Sequence, residues 1–93
     1  MMTPSIVCLA AAIFFEARDQ PIEGQLAVAD VVMNRVESPR WPDEICAVVF
    51  QPSQFSFTHD GKSDNYRNYT SNVGDRQAIG IAEEIAKSVI KGG

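Results

Sequence analysis

Residues 5–17 read SIVCLAAAIFFEA, an apolar run with a single charged residue at its second-last position. Five of its apolar side chains share one face of a helical wheel: Ile6, Leu9, Ala10, Ile13 and Ala17. Thr3 or Ser5 supplies a hydroxyl group that can cap the start of a helix. Proline cannot continue a helix, and Asp19-Gln20-Pro21 follows the run. The pattern predicts a buried helix over Ser5–Ala17.

The same run has the length of the hydrophobic core of a signal peptide, so a signal peptide is the alternative interpretation. No Lys or Arg precedes it, whereas a signal peptide begins with a basic region. It is also too short to cross a bilayer. We therefore interpret it as part of the mature fold, and we predict neither a signal peptide nor insertion into a membrane.

The remaining segments are predicted from periodicity, proline and turn residues. A second helix starts at Pro21 and ends near Val36, and its wide apolar face predicts a central position with neighbours on several sides. Gly24 inside it indicates close packing against another backbone. The other predicted segments are a short helix Asp43–Phe50, a half-buried strand Gln54–Thr58 with its hairpin turn His59–Lys62, a surface loop Ser63–Gly74 and a helix Asp75–Lys91. The sequence thus predicts an α+β fold, mostly helical with about four helices and a small antiparallel sheet or hairpin.

Composition limits the classes of protein to which the chain can belong. Its 93 residues fit one domain, and 45% hydrophobic and 22% charged residues are ordinary for a soluble globular protein. The net charge is −4 without a basic cluster, which argues against binding to nucleic acid or to an anionic membrane. Two cysteines, Cys8 and Cys46, lack the spacing of metal ligands. Two buried thiols and one disulfide both remain open.

Six of the eight aromatic residues lie between positions 41 and 69, among amide and hydroxyl side chains. The six are Trp41, Phe50, Phe55, Phe57, Tyr66 and Tyr69. Aromatic faces beside such groups are typical of a sugar-binding cleft, where rings stack on pyranoses and polar groups bind the hydroxyls. The alternative is a small domain that places its largest core residues near its one sheet.

Glu16 is the strongest candidate for a catalytic residue. It follows Ile13 and Ala12 by one helical turn, which places it at the rim of the apolar face near the helix C-terminus. Partial desolvation and the helix-end carbonyls would both favour the protonated carboxyl. A protonated carboxyl is the general acid that glycosidic cleavage requires. The alternative is a half-exposed glutamate that pairs with Arg18 or a lysine.

Several segments together resemble the spore cortex-lytic, cell-wall hydrolase family (SleB-like). They occur in the family's order with similar gaps, cover roughly residues 8–61, and read AIFFEAR at 12–18, EGQLAVA at 23–29, NRV at 34–36, FQ at 50–51, QFSFT at 54–58 and DG at 60–61. The resemblance implies a lysozyme-like domain that cleaves peptidoglycan. Glu16 occupies the position of the family's catalytic acid. Family members commonly carry Gly where this chain has Asp19, so the loop below Glu16 is expected to differ.

The resemblance also implies the substrate contacts. The family's Gln-Phe-Ser strand borders its glycan cleft, so Gln54, Phe55, Ser56 and Thr58 are the expected substrate-binding residues. Strand pairing and core packing are the alternative roles for these four. Gln25 and Asn34-Arg35 match the family pattern, and we expect them to bond loops and caps. His59 lacks a partner for nucleophilic catalysis, and we interpret it as a turn residue.

One carboxyl group is enough for a lytic transglycosylase, whereas a hydrolase needs two. We therefore expect cleavage between N-acetylmuramic acid and N-acetylglucosamine with Glu16 as the single acid/base, forming 1,6-anhydromuramic ends. Muramidase-type hydrolysis and a non-catalytic glycan-binding module are the alternatives. No motif indicates a metal site or a cofactor.

The expected setting is the bacterial cell wall, in the periplasm or outside the cell. The expected partner is the peptidoglycan glycan strand, bound by a monomer. A lone catalytic domain made in the cytoplasm and released by a partner is most like a phage lysin. Family domains usually continue past the last helix, so we expect residues 1–93 to be one catalytic domain without the family's C-terminal segment.

Overall fold

The computed structural model describes residues 2–40, 43–51, 66–69 and 72–92. Its elements are α1 (Pro4–Ala17), α2 (Ile22–Glu37), α3 (Ile45–Val49), a 3-10 turn (Tyr66–Asn68) and α4 (Val73–Gly92). All of these elements are helical, and the described residues contain no strand. The predicted α+β class is therefore wrong for the part of the chain that the structure describes. The segment Gln54–Thr58, predicted as a strand, lies outside the described residues.

The helix boundaries follow from identifiable capping groups. The Ile6 backbone N–H donates to the Thr3 hydroxyl over 3.3 Å, so Thr3 is the cap of α1. The Glu44 carboxylate accepts hydrogen bonds from the backbone N–H groups of Cys46 (3.1 Å) and Ala47 (2.9 Å) and so caps α3. Helix α3 therefore begins at Ile45, two residues later than predicted. Side-chain capping satisfies backbone donors that have no partner within the helix.

Helix α1, and not the predicted α2, is the central helix. It packs against α2, α3, α4 and the 3-10 turn, and seven of its residues are buried, whereas only three residues of α2 are. The reason is that alanines occupy the positions of α1 between its large side chains, so neighbours approach it from several directions. Val31, one of the valines on the wide apolar face of α2, is 42% exposed.

Among the residues that the structure describes, the largest fully buried side chains come from α1, α2, α3 and the 3-10 turn. They are Tyr66, Phe14, Leu9, Ile13, Val32, Val48 and Val49. Helix α4 adds Ala78, Ala82, Ile85 and Ala86 from its inner face. Tyr66 corrects the prediction of a surface loop over Ser63–Gly74, because this side chain is only 1% exposed.

A disulfide joins Cys8 of α1 to Cys46 of α3, with 5.2 Å between the two Cα atoms. The structure therefore decides between the two alternatives that the sequence left open. The bridge ties a helix of only five residues to the central helix. A helix this short has little stability of its own, so its position depends on such tertiary links.

Candidate active site

Glu16 lies in the last turn of α1, one residue before the helix ends at Ala17. Its side chain is exposed, whereas Ala12, Ile13 and Ala17 around it are buried. The expected partial desolvation of the carboxyl is therefore wrong. The position at the rim of the apolar face is confirmed, and it leaves the carboxyl accessible to a large ligand.

An aromatic cluster supports the helical turn that carries Glu16. Phe14 is fully buried, and its ring centre lies 5.2 Å from that of Phe15 and 5.4 Å from that of Tyr69. Phe15 and Tyr69 meet edge to face at 5.3 Å. The Tyr66 ring lies 6.1 Å from Phe14. Such edge-on and tilted contacts stabilise ring packing beyond the burial of area, so the two residues before Glu16 hold its backbone in place.

Arg18 fixes the same turn from the other side. Its guanidinium carbon lies 4.7 Å from the centre of the Phe14 ring and 5.6 Å from that of Tyr69. Its Nε atom is 3.4 Å from Oδ1 of Asp75 in the first turn of α4. Cation–π contacts and a partly buried ion pair thus join the end of α1 to the start of α4.

Asp75 is itself held by a reciprocal cap at the start of α4. Its backbone N–H donates to Oδ1 of Asn72 over 2.7 Å, and Nδ2 of Asn72 donates to Oδ2 of Asp75 over 3.2 Å. The cap of α4 therefore also orients the carboxylate that binds Arg18. Helix α4 begins at Val73, two residues before the predicted start, because Asn72 caps it.

A second polar cluster joins the 3-10 turn to α4. The Tyr66 hydroxyl donates to Oε2 of Glu83 over 2.6 Å, and Nε of Arg67 binds the same oxygen over 2.8 Å. Burial, together with the neighbouring carboxylate, raises the pKa of Tyr66 to about 12. The hydrogen bond to Glu83 also raises the pKa of Arg67. Sequence reasoning missed this cluster because Tyr66 stands in a polar, asparagine-rich stretch.

Gln25 bonds the linker between α1 and α2, as expected. Its side chain is 3% exposed, and Nε2 donates to the backbone oxygen of Gln20 over 3.1 Å. Its Oε1 atom has no hydrogen-bond partner among the described residues. A Cβ atom on Gly24 would approach Cβ of the Gln20 side chain to 2.9 Å, and no other backbone of the described residues lies as close, so the predicted packing of Gly24 against another backbone is wrong. These contacts define the path of the chain just after Glu16.

The predicted substrate-binding residues Gln54, Phe55, Ser56 and Thr58 lie outside the described residues, and so does His59. Their roles therefore stay predictions. Within the described ranges, no group of three or more His, Cys, Asp or Glu side chains is placed to hold a metal ion. Nor does any helix there combine the length and the apolar character that a bilayer crossing requires.

Comparison with known proteins gives one family match. The cell wall hydrolase family model matches residues 19–93. Glu16 lies just before the matched range, so its assignment depends on the motif at 12–18 and not on this match. No solved structure matches the chain.

The similar curated proteins are all much longer than this chain. A spore cortex-lytic enzyme of Bacillus subtilis is 39% identical over 71 residues, which are 76% of this chain and 23% of that protein. Spore cortex-lytic enzymes of Halalkalibacterium halodurans and Oceanobacillus iheyensis are each 44% identical over 57 residues, or 61% of this chain. Those alignments cover 17% and 21% of the two proteins. The chain thus spans about a fifth of the length of the relatives that it matches.

Proposed function

The chain belongs to the cell wall hydrolase family, and from that premise we propose that it cleaves peptidoglycan glycan strands between N-acetylmuramic acid and N-acetylglucosamine. The observation that carries the proposal is the exposed carboxyl of Glu16 on a turn whose backbone is held on both sides. A reacting group must be accessible to a polymer and yet fixed in position, and this arrangement meets both needs.

Glu16 acts first as the general acid. Its protonated carboxyl donates to the oxygen that links the two sugars, and the bond between that oxygen and C1 of the muramic acid breaks. Because the side chain is exposed in the free protein, the glycan strand can reach the carboxyl.

Glu16 then acts as the base of a lytic transglycosylase. The carboxylate takes the proton from the C6 hydroxyl of the muramic acid, and O6 forms a bond to C1. The products are a free hydroxyl on N-acetylglucosamine and a 1,6-anhydro ring, and no water is consumed. Positioned proton transfer of this kind contributes about 10²–10⁴-fold to a rate.

The disulfide between Cys8 and Cys46 supports action outside the cytoplasm. Disulfides persist in oxidising surroundings such as the periplasm or the cell exterior, and they are rare in the cytoplasm. We infer that the working compartment is the bacterial cell wall. The substrate contacts at Gln54, Phe55, Ser56 and Thr58 are proposed from the same family resemblance.

Mass spectrometry of digested peptidoglycan tests the proposal. The oxidised chain is incubated with purified sacculi, and anhydromuropeptides, each lighter by one water than a hydrolysed product, are the expected result. Ordinary reducing ends would show muramidase-type hydrolysis and refute the transglycosylase step. Binding to sacculi without any released product would favour a non-catalytic glycan-binding module.

A further inference from the structure

The Glu83 carboxylate joins α4 to the 3-10 turn. Its Oε2 atom accepts a hydrogen bond from the Tyr66 hydroxyl over 2.6 Å and one from Nε of Arg67 over 2.8 Å. The Glu83 side chain is 15% exposed, whereas that of Glu84 next to it is 78% exposed. Hydrogen bonds to a charged acceptor are roughly twice as strong as those between neutral groups. Glu83 is thus a firm attachment point on α4, and the proton transfers proposed for Glu16 do not use it.

The hydrogen bond to Glu83 fixes the Tyr66 ring in the core. The Tyr66 side chain is 1% exposed, and a buried tyrosine hydroxyl needs a hydrogen-bond partner. Glu83 supplies that partner from α4, while the ring packs against Phe14 with 6.1 Å between the ring centres. A ring that is bonded at its hydroxyl and packed along its body cannot shift without loss of one of these contacts. Glu83 therefore determines where Tyr66 meets Phe14.

The Phe14 ring is connected to α4 through two separate carboxylates. One connection is the Asp75 ion pair with Arg18, whose guanidinium carbon lies 4.7 Å from the centre of the Phe14 ring. The other is the Glu83 hydrogen bond to Tyr66, whose ring packs on Phe14. Asp75 and Glu83 are eight residues apart, which is about 12 Å along a helix. Two attachment points at this distance prevent the ring from pivoting about either of them.

The position of Phe14 affects that of Glu16 through the backbone of α1. The two residues lie two positions apart in the last turn of this helix. Phe14 is fully buried, whereas the Glu16 side chain is exposed. Protein interiors are close-packed, so a shift of a buried ring also moves the backbone that carries it. Misplacement of a reacting group by about 1 Å can lower a rate about 10²-fold, so the contacts of Phe14 bear on the chemistry proposed for Glu16.

We propose that Glu83 is a positioning residue for Glu16: it holds Tyr66 against Phe14 and so fixes the last turn of α1 relative to the bound glycan. This role depends on the acid/base function proposed for Glu16, and Glu83 takes no part in the proton transfers. The family resemblance covers roughly residues 8–61, so its motifs do not point to Glu83 or Tyr66. The hydrogen bond between them and the contact of Tyr66 with Phe14 carry the proposal.

Initial rates on soluble peptidoglycan glycan strands test this role, because they give kcat and KM separately. Glu83→Leu removes the acceptor, and Tyr66→Phe removes the donor and keeps the ring. Each should lower kcat by about ten- to a hundredfold with KM nearly unchanged, under conditions in which urea unfolding shows the variant to be folded. The double variant should have about the kcat of Glu83→Leu alone, since both changes remove the same hydrogen bond. Glu83→Gln, whose amide oxygen can still accept from Tyr66, should keep most of the wild-type kcat.

NMR measures the position of the turn independently of catalysis. The amide chemical shifts of Glu16 and Ala17 should change in Glu83→Leu. They should stay at their wild-type values in the matched control Glu84→Leu, because Glu84 is exposed and pairs with Lys87 on the same helix. Unchanged shifts or a wild-type kcat in Glu83→Leu, together with an inactive Glu16→Gln, overturn the positioning role and leave the proposed function intact. A Glu16→Gln variant with the wild-type kcat overturns the proposed function, and with it the role of Glu83.

Discussion

Removal of the disulfide should lower the stability of the domain by a large, calculable amount. Cys8 and Cys46 are 38 residues apart in the sequence. In the loop-entropy model, a bridge closing a loop of that length stabilises the folded state by about 4 kcal/mol. A domain of this size has a total stability of about 5–14 kcal/mol, so the bridge would account for a substantial part of it. The melting temperature should fall by roughly 15–30 °C.

Urea unfolding of the oxidised wild type and of the Cys8→Ala/Cys46→Ala variant measures this difference. Each free energy of unfolding is extrapolated to water with the protein's own slope, because the bridge also restricts the unfolded chain. A reductant should lower the stability of the wild type and leave that of the variant unchanged. A difference below about 1 kcal/mol would refute the reasoning from loop closure.

Three further outcomes are expected. Tyr66→Phe should lower the free energy of unfolding in urea by about 1.5–3 kcal/mol, because it removes a hydrogen bond to the Glu83 carboxylate and keeps the ring. A decrease of less than about 0.5 kcal/mol would contradict this. The folded-state pKa of Tyr66 is raised from 10.0 to about 12. Its contribution to the free energy of unfolding is therefore complete below pH 10 and is lost between pH 10 and about 12. Tyr66→Phe should abolish this loss of stability at high pH, and a loss that persists in the variant would exclude Tyr66 as its source. Arg18→Met should lower the rate of sacculus cleavage, since it removes the ion pair with Asp75 and the cation–π contact with Phe14. An unchanged rate would show that neither contact is required to position the turn that carries Glu16.

The helices of this chain were predictable because each has a periodic apolar face and a local stop or cap. The first helix was predicted to within one residue at its start, because Pro4 and Thr3 begin it and its apolar face ends at Ala17. The fourth begins two residues earlier than predicted, because an Asn72 cap is not visible in the apolar pattern. Such shifts arise because side-chain caps, and not periodicity alone, decide where a helix begins.

Long-range packing could not be predicted from local patterns. Tyr66 lies in a polar stretch of the sequence, and its burial depends on residues distant in the sequence, the Phe14 ring and the Glu83 carboxylate. The prediction of α2 as the central helix is wrong for a related reason. The wide valine face of α2 suggested a central helix, whereas the alanines of α1 let more neighbours approach.

The position of Glu16 on its helix was predictable from the sequence, and its environment was not. The motif around Glu16 pointed to the residue, and its helical position gave the rim of the apolar face. The sequence left a partly desolvated and a half-exposed Glu16 as alternatives, and the structure shows an exposed side chain beside an Arg18 that turns toward Asp75. The role of Arg18 as a link to α4 likewise depends on a residue 57 positions away in the sequence.

The most direct measurement compares the rate of sacculus clearing by the wild type, Glu16→Gln and Glu37→Gln. Gln keeps the shape of Glu and removes the proton-transferring group, and Glu37 is an exposed acid at the end of α2 that serves as the matched control. We predict that Glu16→Gln lowers the rate by about 10²–10⁴-fold, with a change in unfolding free energy below about 1 kcal/mol. Glu37→Gln should keep the wild-type rate. A Glu16→Gln variant that clears sacculi within about tenfold of the wild-type rate would contradict the acid/base role of Glu16.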